Sequence, residues 1–443
     1  MIDLSSLKAD LITSLKGYWE GLTPTGQEYY SLELDLPELE LANLFYHFQA
    51  RPMAFWQDRS ANRQIIALGT CQTFRSPFFY GQSQKLLKEN RSLIFIGGQK
   101  FFTDIPSTDE WIGFDKTYFF IPIVAFKKVA KKHKIILNFS KKVLDSGIEQ
   151  MNYLLELDRL LNFKPATQSP PSLHFNQAIP EESEWNANIN HAISQLDEEK
   201  KEKVVLARKK IFSSAKKISP MQIWSHLREG QDDWGCFQFF MQIDPNKAFM
   251  SFSPERLFKW DLGKIQVDSL AGTRPRGETN EEDIKLEKEL FSSYKELYEH
   301  RVVTEEIKKR LLPFCKQSQV YRLEKVLKLS HVQHIHTVIT AELNGQPDIE
   351  DIIARLHPTP AVGGQPWNSA EKLIRKLEKF DRGFYAAPVG VITNDYIEFA
   401  VGIRSALAEG SNLHIFGGAG IVPRSKASEE WNETDCKMKN FLF

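Results

Sequence analysis

Three short turns between strand-like runs constrain the fold of this chain most strongly. They lie at residues 261–264, 394–395 and 409–411, where Asp-Leu-Gly-Lys, Asn-Asp and Glu-Gly-Ser separate runs rich in branched and aromatic residues. Such turns join neighbouring antiparallel strands in β-hairpins. Further runs of the same composition occur at residues 64–80, 92–102, 117–126 and 134–139. We therefore predict an α+β fold with largely antiparallel sheets.

Segments in which apolar residues have helical spacing lie between these strand-like runs. It predicts helices at residues 147–162, at residues 185–196, from Ser369 and from about residue 428. Another helix is predicted from Thr279, because Thr279 and Glu282 have the spacing of a capping box. We expect it to continue to residue 312 as one long acidic helix. Residues 1–50 are interpreted as mixed helix and loop.

Chain length and a proline-rich stretch suggest the domain organisation. A chain of 443 residues is long enough for one large domain or two medium ones. Residues 166–183 are rich in proline and fit an extended connector. We place it between a variable N-terminal part of the same α/β sandwich, residues 1–165, and a catalytic region, residues 184–443. A long surface crossover inside one domain is the alternative.

Composition and spacing exclude several classes of protein. The chain has 57 basic and 57 acidic residues, whereas a nucleic-acid-binding protein usually has a basic excess. Its four cysteines lie far apart and form neither a zinc motif nor a disulfide framework. The N-terminus lacks a signal-peptide pattern, and no run approaches the roughly 18 apolar residues of a transmembrane helix. We expect a cytoplasmic protein with no nucleic-acid or membrane partner.

Two charged residues beside apolar strands are candidates for acid–base chemistry. Lys203 opens the run Lys-Val-Val-Leu-Ala-Arg, and burial lowers the pKa of a lysine towards the range of a general base. Glu255 follows Ser-Pro at the end of another apolar run and precedes Arg256. The alternatives are a lysine at an exposed strand edge and a structural pair between Glu255 and Arg256.

Two pairs of glutamates have the spacing of a shared helix face. Glu296 and Glu299 are three residues apart, and so are Glu430 and Glu433. Carboxylate oxygens are the ligands that Mg²⁺ prefers, so the two pairs are candidates for one magnesium site. The alternative for Glu433 is an exposed ion pair with Lys437, four residues further along the helix.

Two glycine-containing stretches are candidates for holding an anion. Ala271-Gly272-Thr273 and residues 417–421 match no nucleotide-binding motif, but glycines let backbone N–H groups approach a carboxylate closely. Arg404 offers two hydrogen bonds to a carboxylate, and His334 is a candidate for lining the same pocket. Ordinary turns, a surface ion pair and a buried structural histidine are the alternatives.

Nine motifs, taken in order, resemble those of the chorismate-utilising enzymes. They cover about residues 185–440, and Phe95-Ile-Gly-Gly-Gln-Lys-Phe adds a weaker N-terminal match. The motifs are Lys-Val-Val-Leu-Ala-Arg, Ser-Pro-Glu-Arg-Leu, Leu-Ala-Gly-Thr-Arg-Pro, Lys-Glu-x-x-Glu-His, His-Ile-x-Thr, His-Pro-Thr-Pro-Ala-Val-Gly-Gly, Phe-Asp-Arg-Gly-x-Tyr, Gly-Ala-Gly-Ile-Val and Glu-Trp-x-Glu-Thr-x-x-Lys. The resemblance implies the anthranilate synthase component I fold, in which two large, mostly antiparallel β-sheets pack together with helices on the outside.

Single residues indicate which reaction of the family to expect. The aminodeoxychorismate branch has lysine where this chain has Ala271, and anthranilate synthases usually have glutamine where it has Lys203. Lys203 is typical of the branch that uses water, which includes isochorismate and salicylate synthases. The run starting at His357 resembles isochorismate synthases more than salicylate synthases. The chain length and the Gly-Gly-Gln-Lys-Phe segment resemble the menaquinone-pathway enzymes more than the siderophore-pathway ones. Salicylate synthesis and an anthranilate-type amination are the alternatives.

The resemblance also implies a role for each matching residue. Lys203 is expected to activate water for attack on C2 of chorismate, and Glu255 to protonate the departing C4 hydroxyl. The expected Mg²⁺ ligands, the last two acting through water, are Glu299, Glu433, Glu296 and Glu430. The residues expected to contact the substrate are Gly272, Thr273, His334, Ala361, Tyr385, Arg404, Gly418, Gly420 and Lys437.

The expected binding partners are chorismate and isochorismate. No obligatory glutaminase subunit is implied, and a monomer or homodimer is expected. Ala386-Ala387-Pro388 departs from the glycine-containing turn of many relatives, but it coincides with none of the implied acid, base or metal positions.

Overall fold

The structure is a computed structural model. It describes residues 4–76, 78–162, 171–197, 202–229, 235–261, 263–328, 332–345 and 348–441. Within these ranges, no helix is long and apolar enough to cross a membrane.

The regular elements are numbered in chain order. Helices α1 to α12 are Leu4–Gly21, Leu41–Leu44, Phe79–Glu89, Lys141–Asp145, Gly147–Leu160, Glu182–Gln195, Pro220–Arg228, Asn280–Ser292, Tyr294–Leu311, Ile349–Leu356, Trp367–Leu377 and Ala427–Met438. Strands β1 to β11 are Tyr29–Leu36, Met53–Gln57, Arg63–Leu68, Gln72–Phe74, Ile94–Gln99, Thr117–Ile121, Val124–Val129, Lys132–Ser140, His174–Ile179, Lys203–Ser213 and Phe237–Asp244. Strands β12 to β21 are Lys247–Ser253, Arg256–Asp261, Lys264–Pro275, Cys315–Lys328, Val332–Leu343, Gly364–Gln365, Pro388–Thr393, Tyr396–Val401, Ser405–Glu409 and Asn412–Ile421.

Two sheets form the framework. Among the described residues, the first sheet has the order β1-β8-β7-β3-β2-β11-β12-β20-β21-β10-β17, and β9 also pairs with β10. The second has the order β15-β16-β14-β13-β19-β18-β5-β6-β4. Every strand pair in the described ranges is antiparallel. The predicted fold class is therefore confirmed.

The three predicted hairpins are present, as β13–β14, β18–β19 and β20–β21. Both sheets combine strands from before and after the predicted connector. Residues 163–170, at the start of that connector, lie outside the described ranges, whereas His174–Ile179 forms strand β9 beside β10.

Strand β2, near the middle of the first sheet, is buried on both faces, and its successive side chains point to opposite sides of the sheet. In β2, Ala54 and Trp56 belong to the core that also contains the second sheet. Met53 and Phe55 belong instead to a second core with residues of α1, α2, α5 and α7. Burial of a side chain such as Phe55 contributes about 1.5–3 kcal/mol, so hydrophobic packing stabilises both faces.

Two regions differ from the sequence-based expectation. Tyr29–Leu36 is a strand paired with β8, although residues 1–50 were expected to be helix and loop. The long acidic helix is in fact two helices, α8 and α9. Ser293 separates them with an extended backbone, and its hydroxyl accepts a hydrogen bond from the Glu296 N–H at 3.4 Å, which caps α9.

Candidate active site

The ends of strands from both sheets meet beside α9 and α12 and enclose a cavity of about 300 Å³. Small-molecule sites in proteins begin at about this volume. The cavity wall consists of Lys203, Pro254, Glu255, Leu270, Ala271, Gly272, Arg274, Glu296, His334, Ala361, Ile403, Arg404, Gly420, Val422, Glu429, Glu430, Glu433 and Lys437.

Most of the site residues predicted from the sequence belong to this wall. They are Lys203, Glu255, Gly272, Glu296, His334, Ala361, Arg404, Gly420, Glu430, Glu433 and Lys437. The side chains of Thr273 and Glu299, also predicted, lie outside the part of the chain that the structure describes.

Glu255 is the buried acid of the cavity. It lies between β12 and β13, is 3% exposed, and accepts a hydrogen bond from the Thr359 hydroxyl at 2.9 Å. Burial, assisted by the nearby charge of Asp268, raises the pKa of Glu255 to about 7, against the opposing effects of Thr359 and Lys203. A carboxyl with this pKa is partly protonated at neutral pH and can donate a proton.

Lys203 is placed in the same wall by the first sheet. It is the first residue of β10 and pairs with Gln365 of β17, while the next residue pairs with β21. The side chain is intermediate in exposure. Its charge acts on both Glu255 and Glu433, so Lys203 is electrostatically coupled to both carboxyl groups of the cavity.

Gly272 forms a bulge at the edge of the cavity. The pairing of β14 with β16 shifts between Ala271 and Thr273, and Gly272 has a φ of +76°. A Cβ atom there would lie 3.1 Å from Cδ1 of Ile335 and 3.2 Å from Oε2 of Glu296. Glycine therefore permits both the left-handed backbone and the close approach of α9.

His334 of β16 is buried beside two cations. Burial, together with the charges of Arg404 and Lys437, lowers the pKa of His334 to about 3, although a hydrogen bond with the Gly272 backbone opposes this. The imidazole is therefore neutral at physiological pH. A neutral imidazole next to two cations can contact an organic anion without adding a third charge.

Arg404 lies between β19 and β20 with a φ of +49°. Its carbonyl accepts a hydrogen bond from the Phe252 N–H at 3.0 Å, which holds the loop against β12. A non-glycine residue in the left-handed region costs about 1–3 kcal/mol, so the neighbouring strand must maintain this conformation. Burial lowers the pKa of the guanidinium, which Tyr385 and Glu433 partly oppose, and it remains charged.

The carboxylates of α9 and α12 are paired with cations. Oε1 of Glu296 accepts a hydrogen bond from Arg274 Nη1 at 2.9 Å. Oε1 of Glu433 accepts one from Lys437 Nζ at 2.5 Å, and Lys437 also donates to the Gly418 carbonyl at 2.9 Å. Burial favours a higher pKa for Glu433, but the charges of Lys437, Lys203 and Arg404 outweigh it and lower that pKa.

These carboxylates provide a donor set of the chemistry that Mg²⁺ prefers. Glu296 and Glu433 reach the cavity from different helices, and Glu430 adds a carboxylate that is 7% exposed. Among the side chains that the structure describes, no group of three or more His, Cys, Asp or Glu is arranged to hold a metal ion. The carboxylate oxygens suit a hard cation by their chemistry, but Glu296 and Glu433 are paired with Arg274 and Lys437 instead.

Tyr385 and Gly418, the other two predicted residues, lie next to each other and beside Lys437 of the wall. The Tyr385 ring stacks on Phe416 with centroids 5.3 Å apart. A Cβ atom on Gly418 would lie 2.7 Å from the Tyr385 hydroxyl oxygen. The side chain of Tyr385 is thus packed against β21, and glycine at residue 418 allows that contact.

The sequence-based prediction did not include Arg274, Glu429 and Thr359. Arg274 belongs to the recognised Gly-Thr-Arg-Pro motif, and Thr359 to the run beginning at His357, so both lay within visible motifs. The contact between Thr359 and Glu255 joins residues 104 positions apart. No local spacing could have indicated it.

The fold and this cavity define a class of protein. The sequence profile described as chorismate binding enzyme matches residues 22–443. The chain therefore belongs to the chorismate binding enzymes, as its motifs predicted. Isochorismate synthase MenF of Bacillus subtilis is 32% identical over 416 residues, which span 88% of this chain and 86% of that protein.

Solved structures support the same relationship. The structure of MenF, the menaquinone-specific isochorismate synthase from Escherichia coli, aligns with a TM-score of 0.84 and 25% identity, covering 98% of this chain and 99% of that one. Anthranilate synthase component I from Streptococcus pneumoniae has a TM-score of 0.64 and 18% identity over 96% of each chain. The second likeness concerns the fold alone, and it confirms the predicted architecture.

Proposed function

We propose that this chain is an isochorismate synthase, which converts chorismate to isochorismate in a Mg²⁺-dependent reaction. The observation that carries the proposal is that Lys203 and Glu255 line one cavity, in which the pKa of Glu255 is raised to about 7. The similarity to isochorismate synthases over most of the chain supports the same reaction.

The proposed chemistry is a substitution with a shift of the ring double bonds. Lys203, in its unprotonated form, takes a proton from water, and the water oxygen forms a bond to C2. The bond between C4 and its hydroxyl breaks, and Glu255 protonates the departing oxygen, so one water enters and one leaves. General acid and base groups of this kind each contribute about 10²–10⁴-fold.

Thr359 has a defined part in this proposal. Its hydroxyl donates to Oε1 of Glu255, which leaves Oε2 as the oxygen that carries the proton. The hydrogen bond fixes the carboxyl rotamer, so the acidic proton points in one direction. Orientation of a reacting group in this way lowers the entropic part of the barrier.

The metal would be held by carboxylates of α9 and α12. We assign Glu299 and Glu433 as direct ligands, with Glu296 and Glu430 acting through water. Bound Mg²⁺ would supply positive charge for the ring carboxylate and for the charge that develops in the conjugated system. Arg274 and Lys437 balance two of these glutamates in the structure.

The remaining assigned residues bind and orient the substrate. Arg404, Lys437 and backbone N–H groups near Gly420 offer positive charge to the two carboxylates of chorismate. Tyr385 and Gly418 lie beside Lys437 on this side of the cavity. The residues assigned to the ring and its reacting carbons are Gly272, Thr273, His334 and Ala361.

We propose menaquinone synthesis, on the strength of the similarity to the menaquinone-specific enzyme. We also propose that the chain acts in the cytoplasm, without a glutaminase subunit, as a monomer or homodimer.

Product analysis tests this function. Purified protein is incubated with chorismate, with and without Mg²⁺, and the products are separated by liquid chromatography. Isochorismate formed only with Mg²⁺ is expected. Salicylate and pyruvate would identify a salicylate synthase instead, and anthranilate formed with ammonium would identify an aminating enzyme.

A Glu255→Gln variant serves as the matched control, because it keeps the size of the side chain and its ability to form hydrogen bonds but removes the acidic proton. Isochorismate formation at an unchanged rate in this variant would refute the assigned chemistry.

A further inference from the structure

A tight turn between β2 and β3 directs an arginine towards the interior. The carboxylate of Asp58 closes this turn, because it accepts hydrogen bonds from the Arg63 N–H at 3.0 Å and from the Ser60 hydroxyl at 2.8 Å. Arg59 extends from this constrained backbone, and its side chain is 14% exposed. The turn therefore limits where the guanidinium can lie.

The Arg59 guanidinium bridges two segments that are distant in sequence. Nη1 donates to the Pro254 carbonyl at 3.1 Å, and Nη2 lies 2.5 Å from Oδ2 of Asp268. The same group lies over the Phe237 ring, 5.2 Å from its centroid. A planar forked cation can make these contacts together, whereas a lysine ammonium acts as a single point charge.

Asp268 anchors this arginine inside the protein. Its carboxylate is 0% exposed and also lies 3.3 Å from Arg256 Nη1 and 3.4 Å from His336 Nε2. Burial favours a raised pKa for Asp268, but Arg59 and Arg256 outweigh it and hold that pKa well below its ordinary value. The carboxylate is thus a permanent anion that fixes both arginines.

The bridge acts on the peptide that carries Glu255. The Pro254 carbonyl and the Glu255 N–H belong to one planar peptide group. Arg59 donates to the carbonyl of that plane, and the N–H donates to the Ser253 hydroxyl at 3.1 Å. Two hydrogen bonds on opposite sides therefore fix the plane from which the Glu255 side chain projects.

We propose that Arg59 is a positioning residue for the acid Glu255, through the Pro254 carbonyl. This inference rests on the proposed function, in which Glu255 donates a proton. It gives the N-terminal part of the chain a defined role in the reaction, although Arg59 lies outside the cavity wall. The whole bridge joins β2–β3, the β12–β13 junction and β14.

Two matched lysine variants test the proposal. Arg59→Lys keeps a positive charge beside Asp268 but cannot bridge to Pro254 in the same way. Arg63→Lys changes the arginine at the other end of the same turn, which pairs with Asp261 at 2.6 Å. Since a displacement of about 1 Å can cost about 10²-fold in rate, we expect Arg59→Lys to lower kcat about tenfold. KM for chorismate should stay within about twofold, and Arg63→Lys should retain the wild-type kcat.

A double-mutant cycle separates positioning from a general structural effect. In a Glu255→Gln background, Arg59→Lys should change the residual rate by less than about twofold, because the carboxylic acid that Arg59 positions is absent. The same fold loss in both backgrounds would overturn the proposal. If the background is too slow to measure, equal kcat values for Arg59→Lys and Arg63→Lys would overturn it.

Two further controls complete the design. If Arg59→Lys does not fold, Arg59→Gln replaces it, with the same expected outcomes, because it removes the bridge to Pro254 and keeps the Asp268 charge that acts on Glu255. The wild type is assayed in parallel for product identity. Turnover to another product refutes the proposed function while the arginine comparison still stands, and absence of turnover refutes both.

Discussion

Glutamine in place of Glu255 should stabilise the fold at alkaline pH while it removes the acid. Burial raises the pKa of Glu255 from its ordinary 4.5 to about 7, so the unfolded chain ionises at a lower pH than the folded one. The group therefore contributes stability that is fully present below pH 4.5 and is lost as the pH rises through about 7. At about 1.4 kcal/mol per pKa unit, the complete loss is about 3 kcal/mol.

The glutamine side chain does not ionise and avoids this loss. Its amide oxygen can still accept the hydrogen bond from Thr359, which is 2.9 Å long in the wild type. We compare the free energy of unfolding of Glu255→Gln with that of the wild type at each pH. The difference in favour of the variant should be about 2–3 kcal/mol larger at pH 9 than at pH 5. Urea-induced unfolding, followed by tryptophan fluorescence and checked for reversibility, measures this at both pH values.

Glu305→Gln is the matched control, because it makes the same chemical change on a side chain that is 69% exposed. A surface substitution of this kind should alter stability by less than about 0.5 kcal/mol at either pH. If the gain of Glu255→Gln does not depend on pH, the raised pKa is refuted. The inference that Glu255 carries a proton near neutral pH is then refuted as well.

Three further substitutions test other parts of the site. Lys203→Ala should abolish water addition and leave the free energy of unfolding within about 1 kcal/mol of the wild type; near-normal isochorismate formation would contradict its role as base. Glu433→Ala should weaken Mg²⁺ binding in a calorimetric titration and raise KM for chorismate, and an unchanged binding isotherm would remove Glu433 from the metal site. Gly272→Ala should lower the free energy of unfolding by about 1–2 kcal/mol, because alanine would adopt a φ of +76° with Cβ 3.1 Å from Ile335. An unchanged urea midpoint would contradict that strain.

Local signals in the sequence predicted the hairpins, and the resemblance of its motifs to a known family predicted most of the residues that line the cavity. Turn residues specified β13–β14, β18–β19 and β20–β21, because a hairpin is determined by a few adjacent residues. The break in the acidic helix also had a local signal, since Ser293 and Glu296 have capping-box spacing. The alternation of leucine with polar residues in Tyr29–Leu36 likewise indicates a strand.

Contacts between distant segments could not be predicted in the same way. The pairing of β2 with β11 brings together strands that are separated by most of the N-terminal half. The hydrogen bond from Arg59 to Pro254 joins residues 195 positions apart. Such contacts depend on the order of strands in the sheet, and neither composition nor periodicity encodes that order directly.

The neutral His334 affects how kinetics of this enzyme should be interpreted. A rate that falls as the pH rises through about 7 is commonly assigned to an imidazole, whose ordinary pKa is about 6.5. In this cavity the pKa of His334 is lowered to about 3, whereas that of Glu255 is raised to about 7. A kinetic titration near neutrality would therefore report a carboxylic acid. Because the enthalpy of ionisation is small for a carboxyl and large for an imidazole, the apparent midpoint should barely move with temperature.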